Sequence, residues 1–138
     1  MAENISKSCK VSRVSNAAAA GTSDINCTSV DMAGFDVVTF IASFGTLTAT
    51  QVTLLKLEGS DDNSSFSAIA SSSTSAMADG DSNKLLIATI TRPANRYVRA
   101  VIDRGTANAV VDGVIAMQYA ARDIPTTHAT SVSATVSL

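Results

Sequence analysis

The most conspicuous candidate for chemistry is the acidic cluster within "KLEGSDDNSSFSAIA", residues 56–70. Glu58, Asp61, Asp62 and Asn63 could together bind a cation or act in acid/base catalysis. Asp61 and Asp62 are adjacent, however, and neighbouring side chains of an extended chain point to opposite faces, which suits two cooperating carboxylates poorly. Asp, Asn and Ser also favour tight turns, because their side chains bond nearby backbone N–H groups. The spacing therefore predicts a hairpin turn between two strands.

Two further candidates for chemistry are weak. His128 is the only histidine and lies in a polar tail, so a catalytic triad would need it brought into a pocket. In "DGDSNK", Asp79, Asp81 and Asn83 match the first ligand positions of an EF-hand loop. Lys84 stands where the sharp turn of that loop requires Gly. We therefore expect no catalytic residues, no metal site, no cofactor and no enzymatic activity.

The densest positive charge lies in "TRPANRYVRAVIDRG", residues 91–105. Arginine is favoured at protein interfaces, because its planar guanidinium pairs with carboxylates. A basic patch with an aromatic ring could also bind nucleic acid or a sugar, although the overall acidity of the chain weighs against nucleic acid. Two interpretations stay open: ion-paired surface arginines, or a contact with a subunit or partner. The residues concerned are Arg92, Arg96, Tyr97, Arg99 and Arg104.

The overall composition limits the classes of partner. A net charge of -2 over 138 residues argues against general electrostatic binding to nucleic acid and against a polybasic membrane anchor. Charged residues make up 16%, below the roughly 25% of typical domains. This low charge indicates a surface partly covered by other subunits, although a sandwich with a Ser/Thr-rich outer face would give the same composition.

The start of the chain and its cysteines predict an intracellular origin. "MAENISKSCK" lacks a basic segment followed by an apolar run, and no apolar run approaches the roughly 20 residues of a membrane helix. We therefore expect synthesis in the cytoplasm and no membrane partner. Cys9 and Cys27 lack the spacing of a disulfide scaffold or a zinc site, so we expect reduced, structural thiols.

Strand patterns dominate the chain, with apolar and β-branched runs bounded by turn residues and little helical periodicity. This pattern predicts an all-β fold, an antiparallel β-sandwich or jelly roll with extended arms. We expect an N-terminal arm at residues 1–8, a jelly-roll domain at 9–125 and a C-terminal tail at 126–138. The polar tail is either mobile or a strand completed by a neighbouring surface. "NAAAAG", residues 16–21, is expected to be a loop with room for one helical turn.

Two predicted strands are apolar on both faces. "FDVVTFIASF" has one fully apolar face, yet its opposite face still carries Phe35, Val37 and Ile41. "TQVTLLKLEG" likewise carries Val52 and Leu54 beside its core positions. A single sandwich has one inner layer, so the second apolar faces need a cover. We therefore predict a subunit contact at these five residues.

Two blocks resemble galactose-binding-like jelly rolls. They are "EGSDDNSSFSAIA" and "NRYVRAVI", although Phe66 stands where a Trp is common. This resemblance implies a jelly-roll fold and leaves a carbohydrate-binding module as an alternative function. Sugar sites commonly present aromatic platforms, and this chain has no Trp, two Tyr and four Phe.

A broader resemblance covers residues 20–126. The order of "SVDMAGFDVVTFIASFGTLT", the acidic hairpin block and residues 81–125 is similar to small structural proteins of tailed phages and prophages. Some of these are capsid cement (decoration) proteins, among them the jelly-roll cement protein of a Bordetella podophage. The resemblance implies a virion protein on the outer capsid surface that bridges subunits of the major capsid protein and associates with itself as a dimer or trimer. A neck or tail protein of the virion is the nearest alternative.

Overall fold

The computed structural model describes residues 3–137. Within this range no helix is long and apolar enough to span a membrane. The described residues form one short helix and ten strands: α1 (Ile5–Ser8), β1 (Lys10–Ser15), β2 (Ala18–Gly21), β3 (Ile25–Asn26), β4 (Val30–Asp31), β5 (Phe35–Leu47), β6 (Leu54–Ser60), β7 (Ser67–Ala68), β8 (Leu85–Thr91), β9 (Tyr97–Asp103) and β10 (Ala109–Ala121).

The strands form two antiparallel sheets that pack against each other, which confirms the predicted β-sandwich. The first sheet has the order β1-β10-β5-β8, with β2 also paired to β10. The second sheet has the order β3-β9-β6-β7, with β4 also paired to β9. Consecutive strands β5 and β6 therefore belong to different sheets, so their outward residues lie on opposite sides of the molecule.

The core lies between the sheets and follows the two-residue period of the strands. On β5, Phe40 and Phe44 point inward and are at most 1% exposed. On the second sheet, Leu55 of β6 and Ile102 of β9 meet them from the other side and are fully buried. Full burial of one such side chain stabilises the fold by about 1.5–3 kcal/mol. The alternation visible in the sequence thus fixes the inner face of each long strand.

The segment at residues 16–21 differs from the sequence expectation. It contains β2, which pairs with β10 at Ala18↔Val111 and Gly21↔Ala109, instead of a loop with a helical turn. The long strand β10 extends beyond its pairing with β1 and offers an open edge there. Pairing with that edge outweighs the weak helical preference of four alanines, since a helix this short is unstable alone.

The two ends of the described chain lie against each other. The backbone N–H of Thr126 donates to Lys7 O at 2.7 Å, and the N–H of Arg13 donates to Ser131 Oγ at 2.9 Å. His128 joins the two segments, because its Nδ1 accepts from the Val11 N–H at 3.0 Å and its Nε2 lies 3.0 Å from Ser6 O. Residues 126–131 of the tail thus cover the outer edge of β1 within the same chain.

Both cysteines are free and buried. Cys9 is 2% exposed and Cys27 is 4% exposed. Burial raises the pKa of the Cys27 thiol to about 11, despite the nearby Arg99 and a bond with Ser15 that act in the opposite direction. A thiol held neutral in this way is a poor nucleophile at neutral pH, so Cys27 serves the core.

Candidate interaction surfaces

The acidic cluster of residues 58–63 is built into a turn. One carboxylate oxygen of Asp62 accepts the backbone N–H of Ser65 at 2.8 Å, the hydroxyl of Ser60 at 2.8 Å and the N–H of Ser64 at 2.9 Å. These three bonds, with the Ser65 bond first, lower the pKa of Asp62 to about 2. Asp62 is therefore an ionised turn residue whose acceptor capacity serves its own backbone.

The "DGDSNK" loop uses its carboxylates in the same way. Asp79 accepts the N–H of Thr50 at 3.0 Å, and Asp81 accepts the N–H of Ala78 at 2.9 Å and the ammonium of Lys84 at 2.6 Å. Across residues 3–137, no three His, Cys, Asp or Glu side chains gather into an arrangement that could hold a metal ion. These bonds account for the loop without a cation.

Arg104 is buried, unlike the other arginines predicted at an interface. It is 7% exposed, and its guanidinium donates to the carbonyl oxygens of Ser23 at 2.7 Å, Ala19 at 2.8 Å and Ala109 at 3.1 Å. These carbonyls belong to the β2 region and to the start of β10. These donors fasten the chain's own backbone, so Arg104 has few left for a partner, and its place at a subunit contact stays a prediction.

Arg99 and Glu58 form a pair on the outer side of the second sheet. They lie directly opposite each other on β9 and β6, and Nη2 of Arg99 is 2.6 Å from Oε2 of Glu58. The guanidinium also lies 4.2 Å from the centre of the Phe66 ring. This arrangement is an ion pair with a cation–π contact, so one face of Phe66 is already occupied.

Arg96 and Tyr97 form a second cationic contact. Arg96 holds the Asp31 carboxylate through Nε at 3.0 Å and Nη2 at 2.9 Å, and its guanidinium lies 5.2 Å from the centre of the Tyr97 ring. The bond from Arg96 holds the pKa of Asp31 below its usual value, and the same bond raises the pKa of Arg96. The ion-paired interpretation of these arginines therefore agrees with their geometry.

The five residues predicted to form one subunit contact do not lie together. Val37 and Ile41 are on the outer side of the first sheet, and Leu54 is on the outer side of the second. Val52, just before β6, is 44% exposed. Phe35 packs against the core. The structure therefore does not bring the five residues together into a single surface.

The outer side of the first sheet carries a wide apolar surface, which we call the apolar outer face. Cross-strand pairing aligns Ile115, Ile41 and Ile87 in one row across β10, β5 and β8. Ile115 is 43% exposed and Ile87 is 56% exposed, and Leu85 in the next row is 54% exposed. The face comprises Val37, Thr39, Ile41, Ser43, Leu85, Ile87, Thr89, Thr91, Gly113, Ile115, Met117 and Tyr119.

The twelve residues of the apolar outer face are uncharged, but two charged side chains border it: Arg13 of β1 lies opposite Ile115, and the Ser43 hydroxyl donates to Asp112 Oδ2 at 3.4 Å. Three hydroxyl groups of the face bond one another: the Thr39 hydroxyl lies 2.8 Å from that of Thr89 and 3.2 Å from that of Tyr119. Uncharged apolar cores with satisfied polar groups are typical of subunit interfaces. The sequence does contain a signal for Leu85, Ile87 and Ile115. Like β5, strands β8 and β10 carry apolar residues on both faces.

The chain ends leave the β8 side of this face most exposed. The tail at residues 131–134 borders Ile115 on the β10 side, and Ile5 of α1 borders a hollow shared with Met117 and Tyr119. Among the large apolar residues of the face itself, Leu85 and Ile87 are more than half exposed, and both lie on β8. An approaching surface therefore meets β8 and β5 first.

No protein-family model and no curated protein matches this chain. Among solved structures, it is similar to the crystal structure of the SPBc2 prophage-derived protein YomS. The two share 13% sequence identity, the match covers 81% of this chain and 93% of that chain, and the TM-score is 0.49. A likeness at this level carries no argument about function, which rests on the geometry above.

Proposed function

We propose that this chain is a capsid cement protein of a tailed phage, a non-enzymatic structural protein of the virion. It binds the outer surface of the head, contacts the major capsid protein and stabilises the shell by bridging capsid subunits. The observation that carries the proposal is the apolar outer face, a sheet surface on which Leu85 and Ile87 are more than half exposed. Exposing such a surface to water is unfavourable, so covering it with another subunit lowers the free energy.

The mechanism of such a protein is burial of surface across subunit boundaries. Apolar area removed from water contributes roughly 25 cal/mol per Å², and a standard interface buries about 800 Å² on each partner. Pulling two bridged capsid subunits apart exposes that area again, so the bridge resists separation. Many symmetric copies add their contacts through multivalency, and modest individual affinities therefore suffice.

Association of the chain with itself is part of the proposal. An interface about a twofold axis places one patch against the same patch of a second copy, so charges on the patch would meet like charges. The β5 and β8 positions of the apolar outer face carry no charged side chain and meet this condition, whereas Arg13 and Asp112 border the face on β1 and β10. A dimer built on this face would present two sets of capsid contacts at once, whereas a trimer would pair two different patches of the chain.

The test substitutes one exposed residue of the face. Ile87→Glu should leave the fold intact, because the side chain is 56% exposed, but should place an unpaired carboxylate in the buried interface. We expect at least a tenfold loss in occupancy of heads that lack the native protein, measured by quantitative mass spectrometry. Val136→Glu adds the same charge at a tail residue that is 82% exposed and should bind like the native chain.

A second variant tests where on the molecule the contact lies. Val52→Glu introduces the charge at a residue that is 44% exposed and lies outside the first sheet. If Val52→Glu abolishes binding while Ile87→Glu binds normally, the interface is not the apolar outer face. Normal head occupancy by both variants would contradict an apolar contact of either kind.

The carbohydrate-binding alternative gains no support from the rings it would use. Phe66 and Tyr97 each have an arginine guanidinium within about the 6 Å range of a cation–π contact, at 4.2 Å and 5.2 Å from the ring centres. On that face of each ring, a sugar would have to displace the arginine before it could stack. We therefore keep the structural role as the function proposed.

A further inference from the structure

An open cleft of about 550 Å³ lies at one end of the sandwich. Its walls are the turn between β4 and β5, the turn between β8 and β9, and Arg122 immediately after β10. Three guanidinium groups, from Arg92, Arg96 and Arg122, line it together with a single carboxylate, that of Asp36. In a chain with a net charge of -2, this concentration of positive charge is local.

Backbone hydrogen bonds tie the three walls together. The N–H of Met32 donates to Arg96 O at 2.8 Å, and the N–H of Arg92 donates to Asp36 O at 2.6 Å. The N–H of Arg122 donates to Gly34 O at 2.9 Å. The arginines therefore stand on a fixed frame, and binding would require little reorganisation of the backbone.

The three guanidinium groups differ in whether a carboxylate of the chain already binds them. Arg96 is committed to Asp31 through two bonds. Arg92 is 81% exposed, and its nearest carboxylate atom, on Asp36, is 3.9 Å away, beyond hydrogen-bond distance. Arg122 is exposed and has no carboxylate within 4.0 Å among residues 3–137. Two of the three arginines thus retain donors for a ligand.

The backbone of Arg92 has an uncommon conformation. Its φ of 50° lies in the left-handed region, which a residue with a Cβ adopts at a cost and which five other non-glycine residues in the described part of the chain also adopt. Here the conformation is fixed by the short bond to Asp36 O and places Arg92 in the cleft lining.

The remaining lining of the cleft is largely apolar. Met32, Phe35, Pro93 and Ala94 lie among the charged groups. A ligand that fits both parts has an anionic group beside an apolar one. The planar guanidinium matches a carboxylate through two parallel bonds, as Arg96 and Asp31 already do beside the cleft.

We infer that this cleft binds an acidic peptide segment, with one carboxylate held between Arg92 and Arg122 and a neighbouring apolar side chain on Phe35 and Pro93. The anion site stands independently of the proposed function. Only the source of the peptide, a loop of a neighbouring capsid subunit, rests on that function. Because both arginines are exposed, the interaction weakens as salt increases.

The test follows the arginine Nε–Hε signals of the ¹⁵N-labelled chain by NMR at low salt. The probe is the blocked peptide acetyl-Glu-Leu-Glu-amide, with acetyl-Gln-Leu-Gln-amide as its uncharged match and inorganic phosphate as a separate arm. We expect saturable shifts at Arg92 and Arg122 with the Glu peptide alone. The double variant Arg92→Gln/Arg122→Gln should reduce its affinity at least tenfold, whereas Arg13→Gln, an exposed arginine on β1, should not.

Three results would overturn the inference. The first is the absence of saturable shifts at the cleft, and the second is an equal loss of affinity in Arg13→Gln, which would mean nonspecific attraction. The third is binding of phosphate or of the Gln peptide in place of the Glu peptide, which would remove the acidic-peptide assignment. Since the measurement uses the chain alone, its failure leaves the capsid role standing, and failure to bind heads leaves the cleft standing.

Discussion

Several charged side chains in this protein form hydrogen bonds with its own loops. Asp62 gathers three donors of its turn, and Arg104 gathers three carbonyl oxygens from two separate segments. Charge-assisted hydrogen bonds of this kind are about twice as strong as neutral ones. Arg104 is the one charged residue that is buried among residues 3–137, whereas Asp62 binds its own turn at the surface.

Arg104→Met tests the fastening role at the scale of one residue. The substitution keeps much of the apolar length but leaves the carbonyls of Ser23, Ala19 and Ala109 without this donor. Unsatisfied buried polar groups cost about 1–3 kcal/mol each, so we expect a loss of about 3 kcal/mol in the free energy of unfolding, measured with urea. Arg92→Met, at an arginine that is 81% exposed, is the matched control and should change stability by less than about 0.5 kcal/mol. Equal stabilities of the two variants would contradict the role.

The two edge strands of the first sheet differ in whether another segment of the chain covers them. The edge of β1 is covered by residues 126–131, while β8 ends the sheet on the other side. Uncovered edges and apolar faces invite association with other chains. The arrangement thus directs association towards β8, where the apolar outer face is most exposed.

His128→Ala tests the cover on β1. The substitution removes the acceptor of the Val11 N–H and the ring nitrogen beside Ser6 O. A hydrogen bond contributes about 1 kcal/mol, so we expect the Val11 amide to exchange with solvent roughly five- to tenfold faster in hydrogen-exchange NMR. Thr127→Ala, at the exposed neighbouring residue, should leave that rate unchanged. Unchanged protection of Val11 in His128→Ala would show that the tail is held by other bonds.

For the whole molecule, the sandwich was predictable and its surfaces were not. The alternation in β5 and β6 identifies inward residues such as Phe40 and Leu55 without any knowledge of pairing. Sequence alone could not tell that Val37 and Leu54 lie on opposite sides, because the assignment of strands to sheets depends on long-range pairing. Arg122 joins Arg92 in one cleft for the same reason. Local patterns encode which side of a strand is apolar, and topology decides which apolar sides meet.

The central claim is that assembly covers the apolar outer face. Cryo-EM of purified virions tests it most directly, because it gives both the number of copies and the residues in contact. We predict many symmetric copies on the outside of the head, with Leu85 and Ile87 buried against capsid protein or a second copy of this chain. A low-copy position in the neck or tail, or heads decorated with Leu85 and Ile87 still facing solvent, would contradict the account.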